Sequence, residues 1–195
     1  MRLFLALDID DSIRRSIALF MDGIRNFAPD VRWVRPESLH VTLKFIGEKP
    51  EEEVAGIRTA LSQIQASPVT LSFRGHGFFP TARSPRVFWI GIEAGPELAD
   101  LAATIERGMT ELGIPPEQHD FSPHLTLARG GGGSGSPRRL KGDRKNADFL
   151  RLQEKLSTMP PVEFGTMTAR EFILYQSKLS PGGAQYSRLH GFPMR

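Results

Sequence analysis

His40-Val41-Thr42-Leu43-Lys44-Phe45 and His124-Leu125-Thr126-Leu127-Ala128-Arg129 are the two stretches on which the reading of this chain turns. Each begins His-x-Thr-Leu, and each alternates polar with apolar residues as a half-buried strand does. In the first, His40, Thr42 and Lys44 share one face, and Val41, Leu43 and Phe45 share the other. In the second, His124 and Thr126 share a face. Strict alternation sends Arg129 to the opposite side unless a bulge at the strand end redirects it. The chain has only 5 His in 195 residues, so a four-residue pattern repeated on two strands is more than chance supplies.

The segments around the motifs predict two similar lobes. Residues 2–8 read as a buried strand. A helix follows, with Ile13, Ile17, Phe20, Met21, Ile24 and Phe27 on one face. VRWV (31–34) is a short strand. After the first motif comes a helix with stripe Val54, Ile57, Leu61 and Ile64, then strands over 69–75 and 86–93. GHGFFPTARSP between those strands reads as a loop. A helix from about Pro96 to Leu112 precedes the second motif. A helix around Ala147–Thr158 and three strands, the last two joined by Pro-Gly-Gly (181–183), complete the chain. Strands and helices mix without a regular βαβ rhythm. The fold class expected is α+β: bilobal, two antiparallel sheets flanked by helices around a central cleft, with pseudo-twofold symmetry. The chain is read as one bilobal domain over 1–195, with a flexible glycine-rich and basic loop at 130–145.

Composition narrows the chemistry. The chain has no cysteine, which excludes disulfides, thiolate zinc sites and a cysteine nucleophile. The net charge is +3, with 19 Arg against 6 Lys. That permits a phosphate-bearing ligand without demanding one. The N-terminal apolar run is too short for a signal peptide, and no stretch is long enough to span a membrane. A cytoplasmic, membrane-free monomer is the expectation.

On a strand, residues two apart point the same way, so each motif offers one imidazole and one hydroxyl to a common space. Two copies suit in-line displacement at phosphorus. A neutral imidazole takes a proton from water and a protonated one gives a proton to the leaving oxygen. Histidine, with an unperturbed pKa of ~6.5, supplies both forms near neutrality. The Thr hydroxyls and an Arg can hold the non-bridging oxygens. A strained five-membered cyclic phosphate lets this proceed without a metal. Lys44 could touch phosphate or sit on a solvated rim. The basic run RRLKGDRK (138–145) could steer RNA or simply be solvated. A metal cluster of His119, Asp120 and His124 is disfavoured for want of tight ligand spacing. His76 and His190 receive no role.

Taken together, MRLFLALDI, VRWVRPESLHVTLKFIGE, GFFPTARSPRVFWIGI, FSPHLTLAR and FILYQSKLSPGGAQYSRL resemble the two-histidine (2H) phosphoesterase superfamily. Within it they resemble the RNA 2′,3′-cyclic phosphodiesterases, formerly called 2′-5′ RNA ligases. The resemblance covers nearly the whole chain. It implies hydrolysis of a terminal 2′,3′-cyclic phosphate to a 2′-phosphomonoester, with no cofactor and no metal. It assigns His40 as proton donor to the leaving 3′ oxygen and His124 as proton acceptor from water. Thr42, Thr126 and Arg129 become substrate contacts, and reverse 2′-5′ joining a minor activity. RNA ends or nucleoside 2′,3′-cyclic phosphates are the implied partners. The four-glycine run after HLTLAR departs from the family pattern. Two other readings stay open: a phosphodiesterase for a small cyclic nucleotide or 2′-5′ oligonucleotide, and a catalytically silent nucleotide-binding module.

Overall fold

Arg2–Leu7 (β1) carries five consecutive buried residues, Leu3 to Leu7, so it lies inside a sheet rather than at its edge. In the computed structural model, which describes residues 1–130, 146–180 and 183–195, β1 is flanked on both sides. Val41–Glu48 (β3) and Glu171–Ser180 (β8) pair with it antiparallel, and Gly183–Pro193 (β9) extends the sheet in the order β3-β1-β8-β9. The second sheet is also antiparallel. It is built from Arg32–Trp33 (β2), His124–Arg129 (β6), Pro85–Ala94 (β5), Val69–Pro80 (β4) and Glu163–Ala169 (β7), in that order. Among the described residues four helices complete the fold: Asp11–Ile24 (α1), Val54–Ser62 (α2), Pro96–Glu111 (α3) and Ala147–Ser157 (α4). This is the α+β, two-sheet architecture expected. Among the described residues no helix is long and apolar enough to cross a membrane.

The helices bury the stripes their spacing predicts: Ile13, Ile17, Met21 and Ile24 on α1, and Leu98, Leu101, Ile105 and Met109 on α3. Burying each such side chain contributes roughly 1.5–3 kcal/mol, and the two sheets share one contiguous core. Phe27 departs from the stripe. The helix gives way to a tighter 3-10 turn over Arg25–Phe27, which swings its ring outward beneath the Lys155 ammonium. GHGFFPTARSP is not a loop over most of its length. β4 runs on through Pro80, and Phe78 and Phe79 pair with Phe88 and Val87 of β5. Aromatic residues stabilise that extension across the strands, a signal that the flanking glycines hide. The glycine-rich and basic loop beyond Gly130 and most of the Pro-Gly-Gly turn lie outside the described residues.

Both motif strands break alternation at the same place. On β3, Leu5 faces Lys44 and Ala6 faces Thr42, which leaves Leu43 without a partner. On β6, Phe88 faces Ala128 and Trp89 faces Thr126, which leaves Leu127 over. A bulge consumes one residue and shifts every later side chain to the other face. Lys44 therefore leaves the His40 face. Its side chain is only 1% exposed, and its Nζ lies 2.8 Å from Glu106 Oε2 on α3 and donates to the Pro115 carbonyl at 3.2 Å. Phe45 takes the opposite course and emerges 54% exposed.

Removing one partner of a buried ion pair leaves the other charge uncompensated. Glu106→Ala is expected to destabilise the protein by about 3 kcal/mol, and Lys44→Met by clearly less, since the partly open Glu106 can rehydrate. Urea unfolding of both variants checks this; equal losses would show that the pair is not a buried one.

Candidate active site

The bulges decide what faces the cavity between the sheets. His40, Thr42, His124, Thr126 and Arg129 all line one cavity of about 620 Å³, where the two motif strands approach each other. Arg129 reaches it because Leu127 absorbs the extra residue, so the redirection considered from the sequence takes place. Phe45, at the corresponding position of the first motif, lines the same cavity. Strict alternation places Phe45 on the wrong face.

The two imidazoles are held alike. His40 Nδ1 lies 2.7 Å from the carbonyl oxygen of Ser38, and His124 Nδ1 lies 2.7 Å from that of Ser122. A carbonyl only accepts, so each Nδ1 carries the hydrogen and donates it. Each neutral ring is thereby fixed in one tautomer, with Nε2 unprotonated and available as a base. The repeat is thus two residues longer than His-x-Thr-Leu. It reads Ser-x-His-x-Thr-Leu, Ser38–Leu43 and Ser122–Leu127, and its first residue acts through its backbone.

Aromatic rings wall both histidines. Phe4 and Tyr186 lie 4.8 and 5.0 Å from the His40 ring, centroid to centroid. Phe79 and Trp89 lie 5.0 and 6.3 Å from that of His124. Burial among these rings lowers the pKa of both imidazoles from the ordinary value. The Ser38 and Ser122 carbonyls oppose that shift, and the Arg129 guanidinium adds to it at both. His40 has two charged neighbours that His124 lacks: the Asp8 carboxylate, which favours its charged form, and the Arg14 guanidinium, which disfavours it. Burial pushes the Tyr175 phenol up to about 12, so it stays protonated.

Arg14, which no motif flags, braces the first histidine. Its Nη1 donates to the carbonyls of Pro36 (2.7 Å) and Leu39 (3.2 Å), on either side of the turn that supplies the Ser38 carbonyl. Its Nη2 donates to Asp8 Oδ1 (2.6 Å) and the Ile9 carbonyl (3.2 Å). The turn before His40 is thus tied to α1 and to the end of β1. His119, Asp120 and Glu117 lie at the cavity's loop side. Among the described residues no group of three or more His, Cys, Asp or Glu is placed to hold a metal.

Of the two imidazoles Asp8 acts only on His40, so Asp8→Asn should lower the His40 pKa further and leave that of His124 in place. Histidine nitrogen NMR across a pH titration reads both; a common shift of the two rings, or none, would remove Asp8 from the electrostatics of the site.

The family described as LigT-like phosphoesterase matches the chain twice, over residues 7–89 and 90–186, so each match holds one motif. The RNA 2′,3′-cyclic phosphodiesterase of Archaeoglobus fulgidus is 38% identical over 192 residues, covering 98% of this chain and 99% of that protein. Its namesake in Thermus thermophilus is 33% identical over 207 residues, covering 100% and 91%. A crystal structure of a Thermus thermophilus protein matches with a TM-score of 0.76 at 31% identity, over 100% of this chain and 98% of that one. E. coli LigT complexed with 3′-AMP matches with a TM-score of 0.77 at 26% identity, over 99% and 97%. With its motif, its bulge and its family match present in both halves, this chain belongs to the LigT-like phosphoesterases.

Proposed function

We propose that this protein hydrolyses 2′,3′-cyclic phosphate at RNA ends or on nucleosides to a 2′-phosphomonoester, with two histidines as acid and base. The observation that carries this reading is the pair of tautomer-fixed imidazoles lining one cavity with two threonines and an arginine. The names of the relatives point the same way, as does the 3′-AMP complex of E. coli LigT.

His124 Nε2 takes a proton from water as the water oxygen bonds to phosphorus. The bond from phosphorus to the 3′ oxygen breaks in line, and His40 Nε2 delivers its proton to that oxygen. One proton is gained at His124 and one lost at His40, and exchange with solvent resets the pair. Thr42, Thr126 and Arg129 hold the non-bridging oxygens as charge builds on them. Strain in the five-membered ring lowers the barrier, so two imidazoles suffice without a metal. With the 5′ hydroxyl of a second RNA in place of water, the same displacement breaks the bond to the 3′ oxygen and forms a 2′-5′ phosphodiester as a minor reaction.

Incubating 2′,3′-cyclic AMP with the protein in excess chelator should yield 2′-AMP alone by chromatography. Turnover that appears only on adding a metal would sink the mechanism. His40→Ala and His124→Ala should each lower kcat by about 10²–10⁴-fold, and a variant matching wild type would revive the silent-binder reading.

The pH dependence follows from the lowered pKa of both rings. In the free enzyme the charged donor becomes scarce as pH rises through those lowered values. The kcat/KM bell should therefore centre on the acid side of neutrality, with limits that belong to the pair. A bound phosphate anion favours imidazolium, so the alkaline limb of kcat should lie at higher pH than that of kcat/KM. A flat profile from about pH 5 to 9 contradicts paired acid–base catalysis.

A further inference from the structure

The cavity does not end at the histidines. It continues over the first sheet toward the start of β1, lined there by Arg2, Phe4, Phe45, Leu179 and Tyr186. Strand register sets the layout. Phe4 stands opposite Phe45 and Tyr175, and Arg2, two residues nearer the end of the strand on the same face, stands opposite Ser177. The Phe4 and Phe45 rings lie 6.2 Å apart, and Phe4 stacks on Tyr175 at 5.3 Å. Two apolar side chains here face solvent, Phe45 at 54% and Leu179 at 75%.

Arg2 is exposed, and among the described residues no ion pair or hydrogen bond occupies its guanidinium. Glu48 is its cross-strand neighbour, but that carboxylate pairs with the N-terminal amine at 3.8 Å. Tyr186 lies in the field of both Arg129 and Arg2, so it bridges the phosphate end of the cavity and this outer apron. Asp120 on the cavity's loop side repels a polyanion, and Glu117 Oε1 accepts from the Phe45 N–H at 3.4 Å, so its carboxylate borders the apron at Phe45. A positive groove lined with aromatic rings is how proteins track single-stranded nucleic acid.

A 2′,3′-cyclic phosphate is always a 3′ end, so the remaining RNA must leave through the 5′ oxygen of the terminal nucleotide. We propose that the apron of the first sheet is a subsite for the nucleotide 5′ of the cyclic end. Arg2 holds the intervening phosphodiester and Phe45 stacks a base. The subsite rests on the phosphodiesterase reading and makes short RNA ends the better substrates over cyclic mononucleotides.

The test compares ApA ending in 2′,3′-cyclic phosphate with 2′,3′-cyclic AMP. Wild type should favour the dinucleotide in kcat/KM by about tenfold or more, and Arg2→Gln should bring the ratio close to one. Arg2→Gln should also flatten the dependence of log kcat/KM on log salt by about 0.7 for the dinucleotide. Lys178→Gln removes the same charge from the other face of β8 and should keep the ratio. A ratio that is unchanged by Arg2→Gln, or that falls equally in Lys178→Gln, overturns the subsite. Binding of the 2′-phosphorylated dinucleotide against 2′-AMP, by calorimetry, separates the two claims. Tighter dinucleotide binding that is lost in Arg2→Gln supports the subsite even if neither substrate turns over, an outcome that would sink only the hydrolase reading. Equal affinities overturn the subsite whatever the turnover.

Discussion

A backbone carbonyl two residues upstream of each cavity histidine governs what the site can do. Imidazole offers two nitrogens, and a carbonyl partner leaves no choice about which one carries the hydrogen. Ser38 and Ser122 make that choice identically. The free Nε2 atoms then belong to one cavity, and proton transfer can run in one direction across it. Burial among Phe4, Tyr186, Phe79 and Trp89 makes the charged forms costly. The Asp8–Arg14 pair breaks the symmetry. It braces the turn before His40 and places a carboxylate near that ring only.

The bulges are the second constraint. Each motif strand spends one leucine to change face, and the consequence differs between lobes because the next residues differ. Lys44 goes into the core to meet Glu106, and Ala128 fills the matching place with no charge to satisfy. Phe45 and Arg129 then come out at corresponding positions of the cavity. One backbone device thus presents an aromatic ring on one side and a guanidinium on the other. That division suits a ligand with a base at one end and a phosphate at the other.

Much of the fold was legible because apolar periodicity is a local record of burial. The stripes on α1 and α3, the buried run of β1 and the three final strands follow from spacing alone. The failures have physical causes. GHGFFPTARSP reads as a loop because its glycines and prolines outweigh the aromatic pairs that extend β4 against β5. Phe27 fits a helical stripe, but the helix ends in a 3-10 turn before reaching it. Lys44 reads as a phosphate contact or a solvated rim residue because alternation assumes an unbroken strand, whereas its ammonium is buried against Glu106.

Sequence by itself determined the chemistry on offer: two copies of His-x-Thr-Leu, no thiol, and amphipathic elements in an order that calls for two antiparallel sheets. Those are properties of residue type and spacing, which need no distant partner. Tertiary structure alone decided which side chains share the cavity. Arg129 and Phe45 face it, and the Lys44 ammonium is buried against Glu106, because Phe88 and Trp89 on β5, and Leu5 and Ala6 on β1, set the register against which each bulge forms. Arg14 acts only where folding brings α1 beside the turn at Pro36–Ser38. A bulge is a mismatch between two strands, and a brace is a contact between remote segments. Neither is written in any one stretch of sequence.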